Sequence, residues 1–479
     1  MSDALSALEP AILWERFLEL TRIARPPKEE AAAREHVLAW AAERSLGSAV
    51  DDEGNVVVGV PASRGREDAP VVVLQAHLDM VCERDPASPF DPREGRIDVH
   101  VDGDWVRANG TTLGADNGIG VAAAMAVADD PAVAHGPLEL LFTVSEEQGL
   151  DGAKALDPSL VSGRLLVNLD GTSDDALTIG SAGSDHTHLR VQLHPESASA
   201  DHLAFRVEVS GARGGHSGGD IALGRANAIK ALGRVLASAP VRLGAIEGGV
   251  SRNALPRTAH AVVAVDAASE EGWRAALTRE LAAIVREYAG TDDGLVLTVE
   301  PAELEAFASA DTSRRVLDLL NAIPSGVLAL NPGSHEPIET STSLTTATTN
   351  EGVLTLGSMT RSSNAAALDG VLETMHALAR LGGAEIEVRR SYPPWEPDLE
   401  SALLATARQT QRRLSGSEPT LVVVHGGLEC AVLGQRLPGV QMLSIGPETT
   451  DLHAPGEKVR ISSTQRFYRL LGALLDDLS

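Results

Sequence analysis

The sequence contains little cysteine, few aromatic residues and no long apolar run. Only Cys82 and Cys430 are cysteines among 479 residues, which excludes a fold stapled by many disulfides and favours a reducing compartment. Aromatic residues make up 3% of the chain, so its cores must be built mainly from alanine, valine and leucine. No apolar stretch approaches the ~20 residues that cross a bilayer.

Basic residues are also scarce relative to acidic ones. The chain has 40 lysines and arginines against 67 acidic residues, a formal net charge of -27. Such a surface repels nucleic acid and anionic membranes, so we expect neither as a partner. The first twenty residues lack a basic leader followed by an apolar core and a cleavage site, which predicts a cytoplasmic protein. The content of 43% hydrophobic and 22% charged residues is typical of a soluble enzyme.

The hydrophobic pattern predicts two domains. Residues 9–45 have helical spacing, broken at Arg25-Pro26-Pro27. Buried strands are predicted at 55–60, 70–74, 138–144, 164–169, 421–424 and 440–445, with a small-residue helix at 118–127. Between about 185 and 393, amphipathic strands alternate with helices, which indicates a separate α+β domain. We therefore predict an α/β catalytic domain made of residues 1–184 and 394–479, interrupted by an inserted domain at 185–393.

Histidine and carboxylate residues follow the predicted strands of the catalytic domain. In open α/β sheets, ligands bind outside the carboxyl ends of strands, and zinc prefers histidine nitrogen and carboxylate oxygen. Convergence of five segments on one edge therefore predicts a metal site. The residues are His77 and Asp79, Asp116 at the mouth of the small-residue helix, Glu146 and Glu147, Asp170, and His453.

These segments, in this order, resemble the co-catalytic zinc exopeptidases, and the aminoacyl-histidine dipeptidase branch is the most similar. The resemblance runs nearly from end to end. It implies an α/β fold with a mixed sheet between helices and an inserted domain that acts as a lid and in dimerisation. The motifs are His77-Leu78-Asp79, Asp116-Asn117-Gly118, Glu146-Glu147, Asn168-Leu169-Asp170, His453-Ala454-Pro455-Gly456-Glu457, Gly214-Gly215-His216-Ser217-Gly218-Gly219 and His425-Gly426-Gly427-Leu428-Glu429-Cys430.

The resemblance implies a ligand set for two zinc ions per chain, with cobalt or manganese as substitutes. Asp116 would bridge the two ions. One ion would also take His77 and Asp170, and the other Glu147 and His453.

It also implies roles beyond the metal ligands. Asp79 would hold the imidazole of His77, and Glu146 would take a proton from the attacking water and pass it to the leaving amine. His216 would stabilise the oxyanion, and Asn253 with Arg361 would bind the substrate carboxylate. The alternatives from the residues alone are a structural loop histidine at His216 and an ordinary ion pair at Arg361. Cys82 and Cys430 are interpreted as packing residues.

The predicted function is hydrolysis of unblocked dipeptides such as Xaa-His by a cytosolic homodimer. A rival enzyme function is hydrolysis of N-acyl amino acids with the same machinery. A rival of another class is a metal-stabilised binding protein without catalysis, against which the free Glu146 and Asp79 argue, because a structural site needs no base. Glu429 has no role derived from sequence.

Overall fold

The chain folds into two compact units in the computed structural model, which describes residues 5, 7–197, 201–331 and 337–479. Unit 1 comprises Met1–Ser181, Trp395–Val424 and Leu428–Ser479, and unit 2 comprises Ala182–Pro394 and His425–Gly427. The sequence placed these boundaries after residues 184 and 393, whereas the contacts place them after Ser181 and Pro394. The lid function of the inserted part stays a prediction.

The helices and strands follow one another in three segments. The first segment of unit 1 contains α1 (Ala11–Leu20), α2 (Ala31–Glu43), β1 (Gly47–Val50), β2 (Val56–Val60), β3 (Val72–His77), β4 (Val99–Asp102), β5 (Trp105–Ala108), α3 (Ala115–Asp129), β6 (Leu138–Thr143), α4 (Asp151–Ala155), β7 (Leu165–Asn168) and β8 (Ala176–Ser181). Unit 2 contains β9 (Gly183–Gln192), β10 (Glu196–Ser197), β11 (His202–Ser210), β12 (Gly215–His216), α5 (Ala228–Ala237), β13 (Arg242–Gly248), β14 (Ala254–Leu255), β15 (Ala259–Asp266), α6 (Glu270–Glu287), β16 (Val296–Pro301), β17 (Ala306–Phe307), α7 (Ala310–Ala322), β18 (Gly326–Leu330), β19 (Ile338–Asn350), β20 (Val353–Ser362), α8 (Ala365–Gly382) and β21 (Glu385–Tyr392). The last segment of unit 1 contains α9 (Ala402–Ser415), β22 (Thr420–Val424), α10 (Cys430–Arg436), β23 (Gln441–Ser444), β24 (Thr449–Thr450), β25 (Lys458–Arg460) and α11 (Ile461–Asp477).

Unit 1 is built on a mixed sheet with strand order β1-β2-β6-β3-β7-β23-β8-β22. The central strand β3 is parallel to both β6 and β7, and the register places His77 opposite Thr143 and Gln75 opposite Asn168. Side chains of α1, α2, α3, α9 and α11 complete the hydrophobic core. The predicted α/β fold with a mixed sheet is confirmed, and the carboxyl ends of β3, β6 and β7 meet at one edge.

Helix α3 packs unusually close to this sheet because its residues are small. Every residue from Asn117 to Val127 is buried. A Cβ added at Gly120 would lie 2.7 Å from the carbonyl oxygen of Leu169. This contact is too short, so a side chain at this position would clash with the backbone of Leu169. The close packing brings the start of α3, where Asp116 lies, beside the end of β7.

Unit 2 is built on a larger sheet with strand order β16-β11-β15-β13-β19-β20-β9-β21, to which β18 adds beside β19. Apolar residues from these strands pack against α5, α6, α7 and α8 in a core of their own, as the predicted α+β pattern requires. Across both units, no helix in the described part of the chain combines the length and apolarity that a membrane crossing needs.

Candidate metal centre

Two histidines contact the same carboxylate at the sheet edge of unit 1. His77 ends β3, and its Nε2 lies 2.9 Å from Oδ1 of Asp116 and 3.7 Å from Oδ1 of Asp170. His453 has its Nε2 3.2 Å from Oδ2 of Asp116 and 3.0 Å from Oε2 of Glu147. Each oxygen of Asp116 therefore faces a different histidine, and two donor groups share one carboxylate.

The donor atoms in each group are close enough to hold one ion. In His77, Asp116 and Asp170, the three donor atoms lie within 4.8 Å of one another, as they do in Asp116, Glu147 and His453. Oε1 of Glu147 is buried without a hydrogen-bond partner among the described residues. Imidazole nitrogens with carboxylate oxygens are donors that zinc accepts. The five predicted ligands are thus together, and their chemistry fits a pair of divalent cations.

Neighbouring carboxylates and burial shift the pKa values of the histidines and acids in this cluster. Hydrogen bonds to Asp116 and Glu147 raise the pKa of His453 to about 11. Burial alone would lower the pKa of His77, but hydrogen bonds to Asp116, Asp170 and Asp79 raise it well above its ordinary value. Burial and the charge of Asp116 raise the pKa of Asp170 to about 7. Because metal ligands must be deprotonated, a metal bound by these residues would displace protons.

Glu146 is a half-buried carboxylate next to the predicted ligand Glu147, and it lies outside both donor groups that include Asp116. Burial raises its pKa well above the ordinary value, and the charges of Glu147 and Asp170 act in the same direction against the opposing charge of His77. A carboxyl group whose pKa is raised binds a proton more readily than an ordinary glutamate, a property that suits a general base.

Asp79 connects the His77 loop to the Glu146–Glu147 turn. Its Oδ1 lies 3.4 Å from Nδ1 of His77, while its own carbonyl oxygen is closer to that nitrogen, at 3.1 Å. The same carboxylate accepts the backbone N–H groups of Glu146 at 3.0 Å and Glu147 at 3.1 Å. Asp79 therefore orients both the imidazole and the turn, and only the first of these contacts was predicted.

Glu457 holds the loop that carries Asp116, a role that was not predicted from the sequence. Its two carboxylate oxygens accept four consecutive backbone N–H groups, from Leu113, Gly114, Ala115 and Asp116, at 2.8 to 3.2 Å. Glu457 is 2% exposed and lies four residues after His453. It therefore links the loops of Asp116 and His453, two predicted ligands in the same donor group.

Arg25 ties the same loop to the loop after β3. Its guanidinium donates to the carbonyl oxygens of Leu78, Asp79 and Gly114, at 2.6 to 3.0 Å, from a fully buried position. No sequence signal distinguishes Arg25 from an exposed arginine, because these three acceptors are backbone atoms.

Two residues at the centre adopt left-handed backbone conformations. His453 has φ of 63° and Ser145, which precedes Glu146, has φ of 53°. Such conformations cost about 1 kcal/mol or more in a residue with a Cβ, and they concentrate at functional sites. The surrounding contacts therefore hold these two loops in shapes that their sequences do not favour.

In unit 2, one hairpin-like contact brings His216 and Asn253 together. Strand β12 pairs with β14, with His216 opposite Ala254, and the N–H of Ser217 donates to the carbonyl oxygen of Asn253 at 2.8 Å. Nδ1 of His216 accepts the N–H of Gly219 at 3.0 Å. In this tautomer the exposed imidazole carries its hydrogen on Nε2, as an oxyanion donor would.

Arg361 belongs to the same part of unit 2 and is buried at 5% exposure. Its Nη1 donates to the hydroxyl of Tyr392 at 3.2 Å, and its Nε is buried without a hydrogen-bond partner among the described residues. A Cβ on Gly218 would lie 2.9 Å from its Nε, so it adjoins the His216 loop. Nearby, burial and the charge of Arg361 lower the pKa of His425 to about 4, which keeps this imidazole neutral.

Comparisons with known proteins cover the whole chain. The pattern of Peptidase family M20/M25/M40 matches residues 73–477. The cytosol non-specific dipeptidase of Escherichia coli (strain K12) is 35% identical over 479 residues, 99% of each chain. The crystal structure of aminoacylhistidine dipeptidase from Vibrio alginolyticus has a TM-score of 0.87 at 34% identity and covers 99% of both chains.

More distant structures share the fold alone. Aminopeptidase PepT from Bacillus cereus ATCC 10987 has a TM-score of 0.58 at 15% identity, over 98% of this chain and 99% of that chain. The resemblance predicted from the sequence motifs is confirmed by the matches along the full chain. The chain belongs to Peptidase family M20/M25/M40.

Proposed function

We propose that this peptidase is a dipeptidase that uses two zinc ions per chain to hydrolyse unblocked dipeptides, including Xaa-His. The observation that carries the proposal is Asp116, whose two oxygens face His77 and His453 at 2.9 and 3.2 Å. A carboxylate that offers one oxygen to each of two donor groups is suited to hold a pair of metal ions. The two full-length relatives named as dipeptidases support the substrate class.

The proposed chemistry assigns one role to the metal pair and the rest to the protein. Two cations held by these residues would lower the pKa of a water and polarise the scissile carbonyl. Glu146 accepts the proton of the attacking water at its carboxylate and returns it to the leaving amine. Asp79 holds the turn that carries Glu146 through the two backbone N–H groups that it accepts.

Substrate binding is assigned to unit 2. Arg361 is a buried guanidinium with no carboxylate partner among the residues that the structure describes, and burying such a charge is costly unless a partner arrives. We assign it the free carboxylate of a dipeptide, together with Asn253. His216 is assigned to the developing oxyanion through Nε2.

A substrate panel with metal analysis tests the proposal. Wild-type protein, loaded with zinc, should turn over free dipeptides faster than tripeptides, amidated dipeptides and acetylated amino acids. Glu146→Gln should retain its zinc and lose on the order of 10²-fold or more in kcat, the range of a general acid–base group. Faster turnover of acetylated amino acids than of dipeptides would replace the dipeptidase by the N-acyl amino acid hydrolase, and near-normal turnover by Glu146→Gln would remove this base.

We further propose a cytoplasmic homodimer that forms through unit 2. The E. coli relative is named a cytosol dipeptidase. In the described part of unit 2, β18 pairs with β19 alone, and its Leu328 and Leu330 are 44% and 61% exposed. An apolar edge strand of this kind is a ready site for pairing with another chain. Analytical ultracentrifugation should find a dimer that Leu330→Lys weakens, and a wild-type monomer would overturn this assignment.

A further inference from the structure

Glu429 is a buried carboxylate just before α10. It is 1% exposed, and its Oε2 accepts hydrogen bonds from Nε2 of Gln75 at 2.5 Å and from Oγ1 of Thr143 at 2.8 Å. Its Oε1 is buried without a hydrogen-bond partner among the described residues. Burying a carboxylate costs free energy. We therefore asked which function its position behind the candidate metal centre serves.

The partners of Glu429 lie on the strands that deliver the metal ligands. Gln75 is on β3, two residues before His77, and Thr143 ends β6 opposite His77 in the register. Oε1 of Gln75 accepts a hydrogen bond from Nδ2 of Asn168 at 2.6 Å, and Oδ1 of Asn168 accepts one from the backbone N–H of Asp170 at 3.2 Å. A continuous series of hydrogen bonds therefore runs from Glu429 to the backbone of Asp170.

The same carboxylate supports the turn that follows β6. Thr143 leads through Val144 and Ser145 into Glu146 and Glu147, so the hydroxyl that Glu429 accepts fixes the last residue before that turn. The segment that bears Glu429 belongs to the last part of the chain, whereas its partners belong to the first. Glu429 thus joins strand ends that are more than 280 residues away in sequence.

We propose that Glu429 is a positioning residue, which holds Gln75 and Thr143 so that His77, Asp170 and Glu147 keep the spacing that two metal ions require. The inference rests on the proposed function, because it takes these three residues as metal ligands. Hydrogen-bond partners behind metal ligands typically change metal affinity or activity by about 10- to 100-fold. We expect an effect of that size from Glu429.

Two substitutions separate hydrogen bonding from charge and packing. Glu429→Leu keeps a similar volume and removes both acceptors. Glu429→Gln keeps one oxygen that accepts both hydrogen bonds, and removes the charge. Zinc dissociation constants are measured on metal-free protein by competition with a chromophoric chelator, and melting temperatures by circular dichroism. Glu429→Leu should weaken at least one zinc site by about 10- to 100-fold, and Glu429→Gln should restore most of that affinity.

A matched control removes another buried hydrogen bond from unit 1. Thr410 is fully buried on α9 and its hydroxyl donates to Asp477 on α11. Thr410→Val should lower the melting temperature without changing either zinc dissociation constant. A zinc effect in Thr410→Val as large as that in Glu429→Leu would overturn the specific role, because general destabilisation would then explain both.

The remaining outcomes distinguish this inference from the proposed function. Wild-type protein that does not bind two zinc ions would overturn the function itself. Wild-type protein that binds two ions, with equal affinity in Glu429→Leu, would overturn only the positioning role, as would a Glu429→Gln variant no better than Glu429→Leu. If Glu429→Leu does not fold, Thr143→Val replaces it: this variant loses one of the two hydrogen bonds and should weaken zinc binding, whereas wild-type affinity would overturn the inference.

Discussion

Replacing Glu457 by Gln should destabilise the loop that carries Asp116 by an amount that the hydrogen bonds determine. Oε2 accepts the N–H groups of Leu113 and Gly114, and Oε1 accepts those of Ala115 and Asp116. A glutamine has one oxygen, so two of the four buried N–H groups would face an NH₂ group. Leaving a buried donor unsatisfied costs about 1–3 kcal/mol, which predicts a loss of about 2–6 kcal/mol in the free energy of unfolding.

The assay is urea unfolding of the metal-free protein, followed by zinc titration of the folded variant. The expected loss is a large part of the about 5–15 kcal/mol that stabilises an ordinary domain, so it will be visible in the midpoint. Zinc affinity should fall as well, because Glu457 links the Asp116 and His453 loops.

Glu139→Gln is the matched control for this substitution. Glu139 also accepts backbone N–H groups, from Ser162 and Gly163, but Ser162 is exposed and the side chain of Glu139 is only half-buried, so water can replace the lost acceptor. Its unfolding free energy should change by less than about 1 kcal/mol, as is usual for surface substitutions. Equal effects in Glu139→Gln and Glu457→Gln, or no effect in Glu457→Gln, would refute the reasoning.

Two further predictions concern pH and packing. In metal-free protein, burial and the charge of Asp116 raise the pKa of Asp170 to about 7, and burial raises that of Glu429 to about 7. Unfolded carboxyls lose their protons near pH 4, so between about pH 4 and 7 these two groups make the folded state bind more protons. His186 and His425, whose pKa values burial lowers to about 4, act in the opposite direction below about pH 6.5. The stability advantage of wild-type protein over Glu429→Gln should therefore fall as pH rises through this window, as measured by urea unfolding in the presence of a chelator, and a rise would contradict the reasoning. Gly120→Ala should lower the melting temperature and the zinc affinity together, because the new Cβ would lie 2.7 Å from the carbonyl oxygen of Leu169; wild-type values for both would show that α3 can move without disturbing Asp116.

The sequence predicts the ligand-bearing strands well because their apolar runs are continuous. The predicted strand at 138–144 is β6, and the predicted helix at 118–127 lies within α3. Strand β19 was missed, because its residues are mostly serine and threonine. Several of these hydroxyls are buried and hydrogen-bonded across strands, as between Thr340 and Ser362 at 2.9 Å. A hydrophobicity pattern cannot indicate a strand whose interior face is polar.

The residues of the candidate site also fall into those that the sequence pattern identifies and those that it does not. Histidine and carboxylate residues at strand ends carry a signal in their chemistry and placement, so His77, Asp116 and Asp170 could be named from sequence. Arg25 and Glu457 contact mainly backbone atoms from distant segments. Because every residue type has a backbone, such contacts cannot be predicted from the identity of the partner residues. Their importance follows only from the fold.

The central claim is that Asp116 is shared by two metal ions, and zinc stoichiometry with affinity in wild-type protein and in Asp116→Ala tests it most directly. Each oxygen of Asp116 faces a different histidine, so removing the side chain takes one donor from both groups. Wild-type protein should bind about two zinc ions per chain, as a co-catalytic pair requires, and Asp116→Ala should bind both ions more weakly. An Asp116→Ala variant that keeps one ion at wild-type affinity would contradict the shared carboxylate.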